Sequence, residues 1–353
     1  MRDDYLWDGS GEPDPEIQKM ESALGKLRYN RPAPQFPDLA KSAAPPRRFW
    51  QVFSWPQFAS AAAVLLLTAA AVLLWIEART PTFDPTTAWD VTTVKGTPQV
   101  GSQKIDVAQK TGKLGQGQVL ETDNASKAVI KSDATGEIEV EPATRLRLVK
   151  SGSGIKRLSL ERGTIRATIW APPGEFVVDT PSAVAVDLGC VYTLHVDDSG
   201  NGLLRTTLGW VGFKLGDHES FIPAGAVCAT NKQAGPGTPY FEDASEAFRN
   251  SLAKLDAGAS GTGEQRAAAL DVILSQSRQR DALTLWHLLT RVPESDRGRV
   301  YDRLAQLVPA PAGVTREGIL RRDPQMLDLW WNELGFGDTA LWRHWERSWS
   351  QEK

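Results

Sequence analysis

Cysteine is nearly absent. The 353-residue chain has two, Cys190 and Cys228. That excludes zinc sites built from several closely spaced Cys and His ligands. Histidine is almost as scarce: His195, His218, His287 and His344 are scattered, with no His-Glu-x-x-His pair. No Gly-x-Ser-x-Gly nucleophile elbow occurs. Ser153-Gly154-Ile155-Lys156 matches a Ser-x-x-Lys spacing, but it falls in a Gly/Ser turn rather than at a helix start. Gly112 to Gly117 lacks the Lys-Ser/Thr that closes a phosphate loop, and Asp197-Asp198 reads as a solvated hairpin turn. These absences disfavour an enzyme and imply neither a cofactor nor a metal. An excess of charge of one sign is also lacking. Forty basic residues face 43 acidic ones, for a net charge of −3, so nothing global points to direct contact with nucleic acid.

One stretch lacks charge altogether. Phe58 to Ile76 is apolar throughout, and as a helix it spans roughly 28 Å, close to the hydrocarbon thickness of a bilayer. It begins too far into the chain for a cleaved signal peptide, and it has no charged face for an amphipathic surface helix. It is read as a transmembrane helix, with Trp55 and Trp75 as interfacial aromatics. Lys41, Arg47 and Arg48 precede it, whereas only Arg79 follows before Lys95. The positive-inside rule then places the N-terminus in the cytoplasm and residues 77–353 outside, in a bacterium the periplasm or cell exterior. There the two cysteines could pair, or serve as two small buried apolar side chains.

Residues 1–30 form a short helical head. Asp14-Pro15 is a helix start, after which Ile17, Met20, Leu24 and Leu27 recur on one face. A single amphipathic helix cannot bury its own stripe, so this face is a candidate partner-binding surface, with a solvated tail as the alternative. Residues 31–57, rich in Pro, Ala and basic residues, are a linker. A second linker, 77–87, follows the apolar run.

Residues 88–230 read as all-β. Short alternating runs recur, among them Ile138 and Val140, Leu146 and Leu148, Ile165, Ala167 and Ile169, and Tyr192, Leu194 and Val196. Turn signals at Ser151-Gly152-Ser153-Gly154, Pro172-Pro173-Gly174 and Asp197 to Gly200 separate them. The pattern predicts a sandwich, barrel or wound β-roll. Residues 231–242 are taken as a linker. Residues 243–353 carry helical patterns: Asp243 to Leu255, opened by an Asp243/Glu246 capping pair, then 264–279, 282–291, 295–308, 315–321, 324–334 and 339–350. Short connections predict an antiparallel bundle or helical hairpins. Six of the thirteen tryptophans lie between Trp286 and Trp349, and Leu341, Trp342, Trp345 and Trp349 share one helical face. The fold class expected is therefore multidomain α+β with a single transmembrane helix.

Within the β segment, Leu114-Gly115-Gln116-Gly117-Gln118-Val119-Leu120-Glu121-Thr122 is followed by Ala128-Val129-Ile130, Leu158 to Gly163, and Phe176-Val177-Val178-Asp179-Thr180-Pro181. Val186-Asp187-Leu188-Gly189, Thr207 to Val211 and Pro223-Ala224-Gly225 complete the series. Their order and spacing over residues 114–230 resemble the FecR domain of bacterial membrane signalling proteins. Gly189-Cys190 stands where that family usually has Gly-Thr, and the C-terminal helices do not resemble its receptor-facing domain. Asp4-Tyr5-Leu6-Trp7-Asp8-Gly9 before the helix looks like a reduced form of the family's anti-sigma head, which adds Trp7 to the partner-binding candidates. The resemblance implies an inner-membrane regulator with a cytoplasmic sigma factor and an envelope or outer-membrane protein as partners. A membrane-anchored envelope binding or scaffold protein without anti-sigma activity is the alternative, and an envelope enzyme with an unrecognised site comes third.

Overall fold

The computed structural model describes residues 87–337, apart from 106–109, 133–134, 217 and 258–261, together with Lys19 and Ser22. The chain divides into two compact units, Met1–Leu73 and Leu74–Lys353. The second holds all the described residues except Lys19 and Ser22.

The strands are, in chain order, Trp89–Lys95 (β1), Gln99–Val100 (β2), Gln103–Lys104 (β3), Thr111–Leu114 (β4), Val119–Glu121 (β5) and Lys127–Ser132 (β6). Gly136–Val140 (β7), Arg145–Lys150 (β8), Lys156–Ile169 (β9), Phe176–Asp179 (β10), Val184–Asp187 (β11) and Val191–Val196 (β12) follow. The series closes with Gly202–Leu208 (β13), Trp210–Leu215 (β14), His218–Pro223 (β15), Ala226–Asn231 (β16), Gly235–Pro236 (β17) and Tyr240–Phe241 (β18). Among these, only the β9–β10 pairing is parallel.

The fourteen residues of β9 join two sheets. Its first half pairs with β8 and β10, and that sheet runs β3-β2-β5-β8-β9-β10-β11-β14-β15. Its second half pairs with β7 and β12, and that sheet runs β4-β1-β6-β7-β9-β12-β13-β16, with β17 and β18 along β16. Gly163 makes the corner. Its φ is +94°, and a Cβ there would lie 2.4 Å from Thr144 Cα, a position that suits glycine alone. Thr144 pins the bend by accepting from the Thr164 N–H at 2.9 Å, while Thr122 Oγ1 accepts from the Thr144 N–H at 3.0 Å. Inward residues switch parity at the corner, from Leu158 and Leu160 to Ile165 and Ala167, all fully buried. One apolar core is shared by the two sheets, and Trp89 of β1 meets Phe176 of β10 across it, ring centroids 6.4 Å apart.

The helices are Glu246–Asp256 (α1), Gly263–Gln276 (α2), Ala282–Arg291 (α3), Glu294–Leu307 (α4), Arg316–Leu320 (α5) and Pro324–Glu333 (α6). Their starts follow side-chain caps: Thr262 and Gln265 form a capping box on α2, Thr315 caps α5, and Asp323 caps α6 with Pro324 at the first helical position. The Asp243/Glu246 pair expected to open α1 does not cap it. Ser245 does, accepting from Phe248 N–H at 3.1 Å. Asp243 instead binds Arg278 and Arg280, because their guanidinium groups offer stronger charged donors.

Two further expectations are corrected. Residues 231–242 are not a linker. They supply β17 and β18, and Gly235, Pro236, Thr238, Pro239 and Phe241 are buried. Nor are the described helices a separate domain, because they lie on the first of these sheets, against β15. Register places Phe221, Gly212, Val186 and Val177 in one row across β15, β14, β11 and β10. Phe221 packs on Trp286 (centroids 6.0 Å apart), Trp331 (5.1 Å) and His287 (6.1 Å). This is why Ala185, Val186 and Asp187 are all buried, where a two-layer sandwich would expose alternate residues.

Candidate functional site

The partner-binding candidates Trp7, Ile17, Met20, Leu24 and Leu27 lie outside the described residues, as do residues 58–76 and the Trp342, Trp345 and Trp349 face. Beside them, Lys19 and Ser22 are helical. Among the described residues, no helix is long and apolar enough to cross a membrane, and no three His, Cys, Asp or Glu side chains gather as metal ligands would.

Cys190 and Cys228 are both buried and both free. The possible disulfide is absent because each thiol has its own acceptor on a different part of the fold. Cys190 Sγ donates to Asp187 Oδ2 at 2.5 Å, and Cys228 Sγ donates to Gly237 O at 3.2 Å. Burial pushes the Cys228 thiol up to about 12 and raises the Cys190 thiol further, which removes the reactive thiolate. A thiol reagent is therefore expected to titrate neither residue until denaturant is added. Reductant should leave the unfolding midpoint unchanged.

Cys228 belongs to a polar seam that bonds the helices to the sheet. Arg291, at the end of α3, is half-buried and donates to Glu219 O (2.7 Å), Ser220 Oγ (2.7 Å) and Thr238 Oγ1 (3.0 Å). Thr238 in turn donates both its hydroxyl and its backbone N–H to Asp256, each at 2.7 Å. Asp256 thus balances the Arg291 charge through one hydroxyl, which keeps this half-buried cation tolerable. One turn earlier, His287 Nε2 accepts the Phe221 N–H at 3.0 Å, and its Nδ1 lies 2.8 Å from Leu283 O. A carbonyl can only accept, so Nδ1 carries the proton and the ring is neutral. Burial, then the nearby Arg291 charge, lowers its pKa to about 3. With both ring nitrogens committed, His287 is built for adhesion rather than proton transfer.

A second cluster lies in the β11–β12 turn. Asp187 is 1% exposed. Its carboxylate accepts from Gly189 N–H at 2.7 Å and from the Cys190 thiol. Desolvation outweighs both bonds and lifts its pKa to about 7. The hydroxyls of Tyr192 and its strand partner Thr206 are buried without hydrogen-bond partners. Burial, then the Asp187 charge, raises the Tyr192 phenol well above its ordinary value. Gly209 closes the turn: a Cβ there would sit 2.1 Å from Gly189 O. The arrangement can hold or release a proton at Asp187 inside an otherwise apolar core. The sequence marked Val186 to Cys190 as part of the FecR-like pattern and not as a buried polar cluster. The cluster's one visible sign was a carboxylate set between Val186 and Leu188 in a run of apolar residues.

No family model matches the chain, and no curated protein matches it in sequence. Two solved structures of a candidate anti-sigma factor from Parabacteroides distasonis ATCC 8503 are similar to part of it. The first is 14% identical with a TM-score of 0.32, covering 38% of this chain and 63% of that one. The second is 13% identical with a TM-score of 0.32, covering 45% and 76%.

Proposed function

We propose that the chain is a single-pass inner-membrane regulator. Its β unit and helical layer meet an envelope signal outside the cytoplasm, and residues 1–57 control a cytoplasmic sigma factor. The action is non-catalytic. A partner outside favours one of two arrangements, and the apolar run conveys that bias to the head.

One observation carries this reading. The segments that resemble the FecR domain belong to one β unit, which begins about a dozen residues after an apolar run with asymmetric flanking charge. Leu114, Leu120, Ala128, Ile130, Leu158, Leu160, Phe176, Val178 and Val186 are its buried core, so the resemblance concerns packing and not only surface pattern. The helical layer adds a structural argument. Seam and sheet share hydrogen bonds and aromatic contacts, so a partner engaging the helices also loads the strands.

The test is co-purification of the tagged full chain, solubilised from its own cells in mild detergent. A sigma factor should be recovered, and it should be lost from the Ile17→Asp/Leu24→Asp variant. Recovery of envelope proteins alone, unchanged in that variant, would favour an anchored envelope scaffold.

A further inference from the structure

Among the described residues of the β unit, Val94, Trp170, Leu203, Leu208 and Leu215 are the exposed large apolar side chains, and Leu208 and Trp170 are two of the three most exposed. Leu208 is 64% exposed and Trp170 56% exposed, and both flank Gly189, which is exposed too. Register fixes where they lie. Across the second-described sheet, from β1 to β13, Asp90 pairs with Lys131, Lys131 with Glu137, Glu137 with Thr168, Thr168 with Val191, and Val191 with Leu208. Trp170 follows Thr168 by two residues. Trp170 and Leu208 are therefore at the same end of the β unit as Trp89 and Asp90, where the chain enters β1. Residues 77–88 separate the apolar run from that point, a tether that reaches no more than roughly 43 Å when fully extended.

We propose that this end of the β unit rests on the outer surface of the bilayer, with Trp170 and Leu208 seated among the lipid headgroups. Tryptophan favours that depth because its ring is apolar while its N–H can bond to water or headgroup oxygens. Among the described residues, three lysines here meet carboxylates. Lys113 meets Asp90 at 2.6 Å, Lys131 meets Glu137 at 2.8 Å, and Lys156 meets Glu175 at 2.9 Å. Contact then rests on the apolar side chains, not on anionic lipid, and tolerates salt. The Asp187–Cys190 turn lies between Trp170 and Leu208, so a partner that lifts this end from the membrane changes the surroundings of that turn. The inference rests on the membrane-spanning reading above.

The test uses the full chain reconstituted in phosphatidylethanolamine/phosphatidylglycerol vesicles. A photoreactive benzoylphenylalanine replaces Leu208 or, as a control, Asp198 in the turn at the far end of the β12–β13 hairpin. Lipid adducts should form several-fold more at 208 than at 198. The yield should persist in high salt and with phosphatidylcholine in place of phosphatidylglycerol, and it should fall when Trp170→Ser is added. Equal yields at both positions, in a chain that resists alkaline carbonate extraction, would overturn the surface contact and leave the span intact. A chain stripped by carbonate that still labels lipid at 208 would overturn the span and keep the contact. A chain stripped and unlabelled would overturn both.

Discussion

Replacing Trp331 by alanine is expected to cost about 3–5 kcal/mol and to loosen strands as well as helices. Trp331 is fully buried in α6. It touches Phe221 of the sheet, Trp286 and His287 of α3, and Phe336 beyond its own helix. Alanine leaves a void that these rings cannot close without moving β15 or α3. Its Nε1 has no hydrogen-bond partner, so the substitution also removes an unpaired buried donor, which sets the cost toward the lower half of that range. Leu329 on the same helix is 48% exposed, and Leu329→Ala should stay within about 0.5 kcal/mol of the parent. Urea unfolding of the full chain in detergent, followed by far-ultraviolet dichroism and tryptophan fluorescence, checks both. If the helices were an independent domain, Trp331→Ala would shift a helical transition alone and leave the strand transition in place.

The second large effect depends on pH. Asp187 titrates near 7 in the folded chain, against an ordinary value of 3.8. A raised carboxyl favours the fold while it is protonated. Its contribution is complete below about pH 4 and is lost as pH rises to about 7, a change of about 4 kcal/mol. His287 works in the opposite sense. Its pKa falls from 6.5 to about 3, so its contribution is complete above about 6.5 and is lost as pH falls toward 3. Between about pH 4 and 6.5 the two slopes oppose, and the parent chain should show little net dependence from this pair. Asp187→Asn holds the neutral form at every pH and leaves His287 unopposed. Its stability should climb through that window and exceed the parent's at pH 7.5 by a few kcal/mol. Denaturation midpoints at pH 4.5, 5.5, 6.5 and 7.5 test this. Parallel curves for parent and variant would show that Asp187 is ionised throughout.

These two sites were not equally legible in the sequence. The helices were, because local chemistry fixes their ends. Asp323-Pro324 and the Thr262/Gln265 box each mark a start within one turn, whatever lies beyond. The strands were legible as alternating runs, and the parity switch between Leu160 and Ile165 even carried the corner at Gly163. What the runs could not show is that Lys156 to Ile169 is one strand serving two sheets, since a bend and a chain break leave the same mark. The third layer was hidden for a different reason. His287 meets Phe221 and Arg291 meets Glu219 across more than sixty residues of chain, and no local period encodes such a pairing. Residues 235–241 looked like a loop because Gly235, Pro236, Gly237 and Pro239 are turn formers, yet this segment threads between sheet and helices. Asp187 stood out only weakly, as alternation along a strand does not show that the fold encloses its carboxylate beside Cys190.

The proposed role of residues 1–57 is control of transcription in response to an event across a membrane. The direct measurement compares transcripts of cells carrying the full chain with those of cells carrying a chain that lacks residues 1–45, both present at equal levels in the membrane. One coherent set of promoters, served by a single sigma factor, should change when those residues are missing. Identical transcripts in the two strains, with the protein's envelope role preserved, would contradict it.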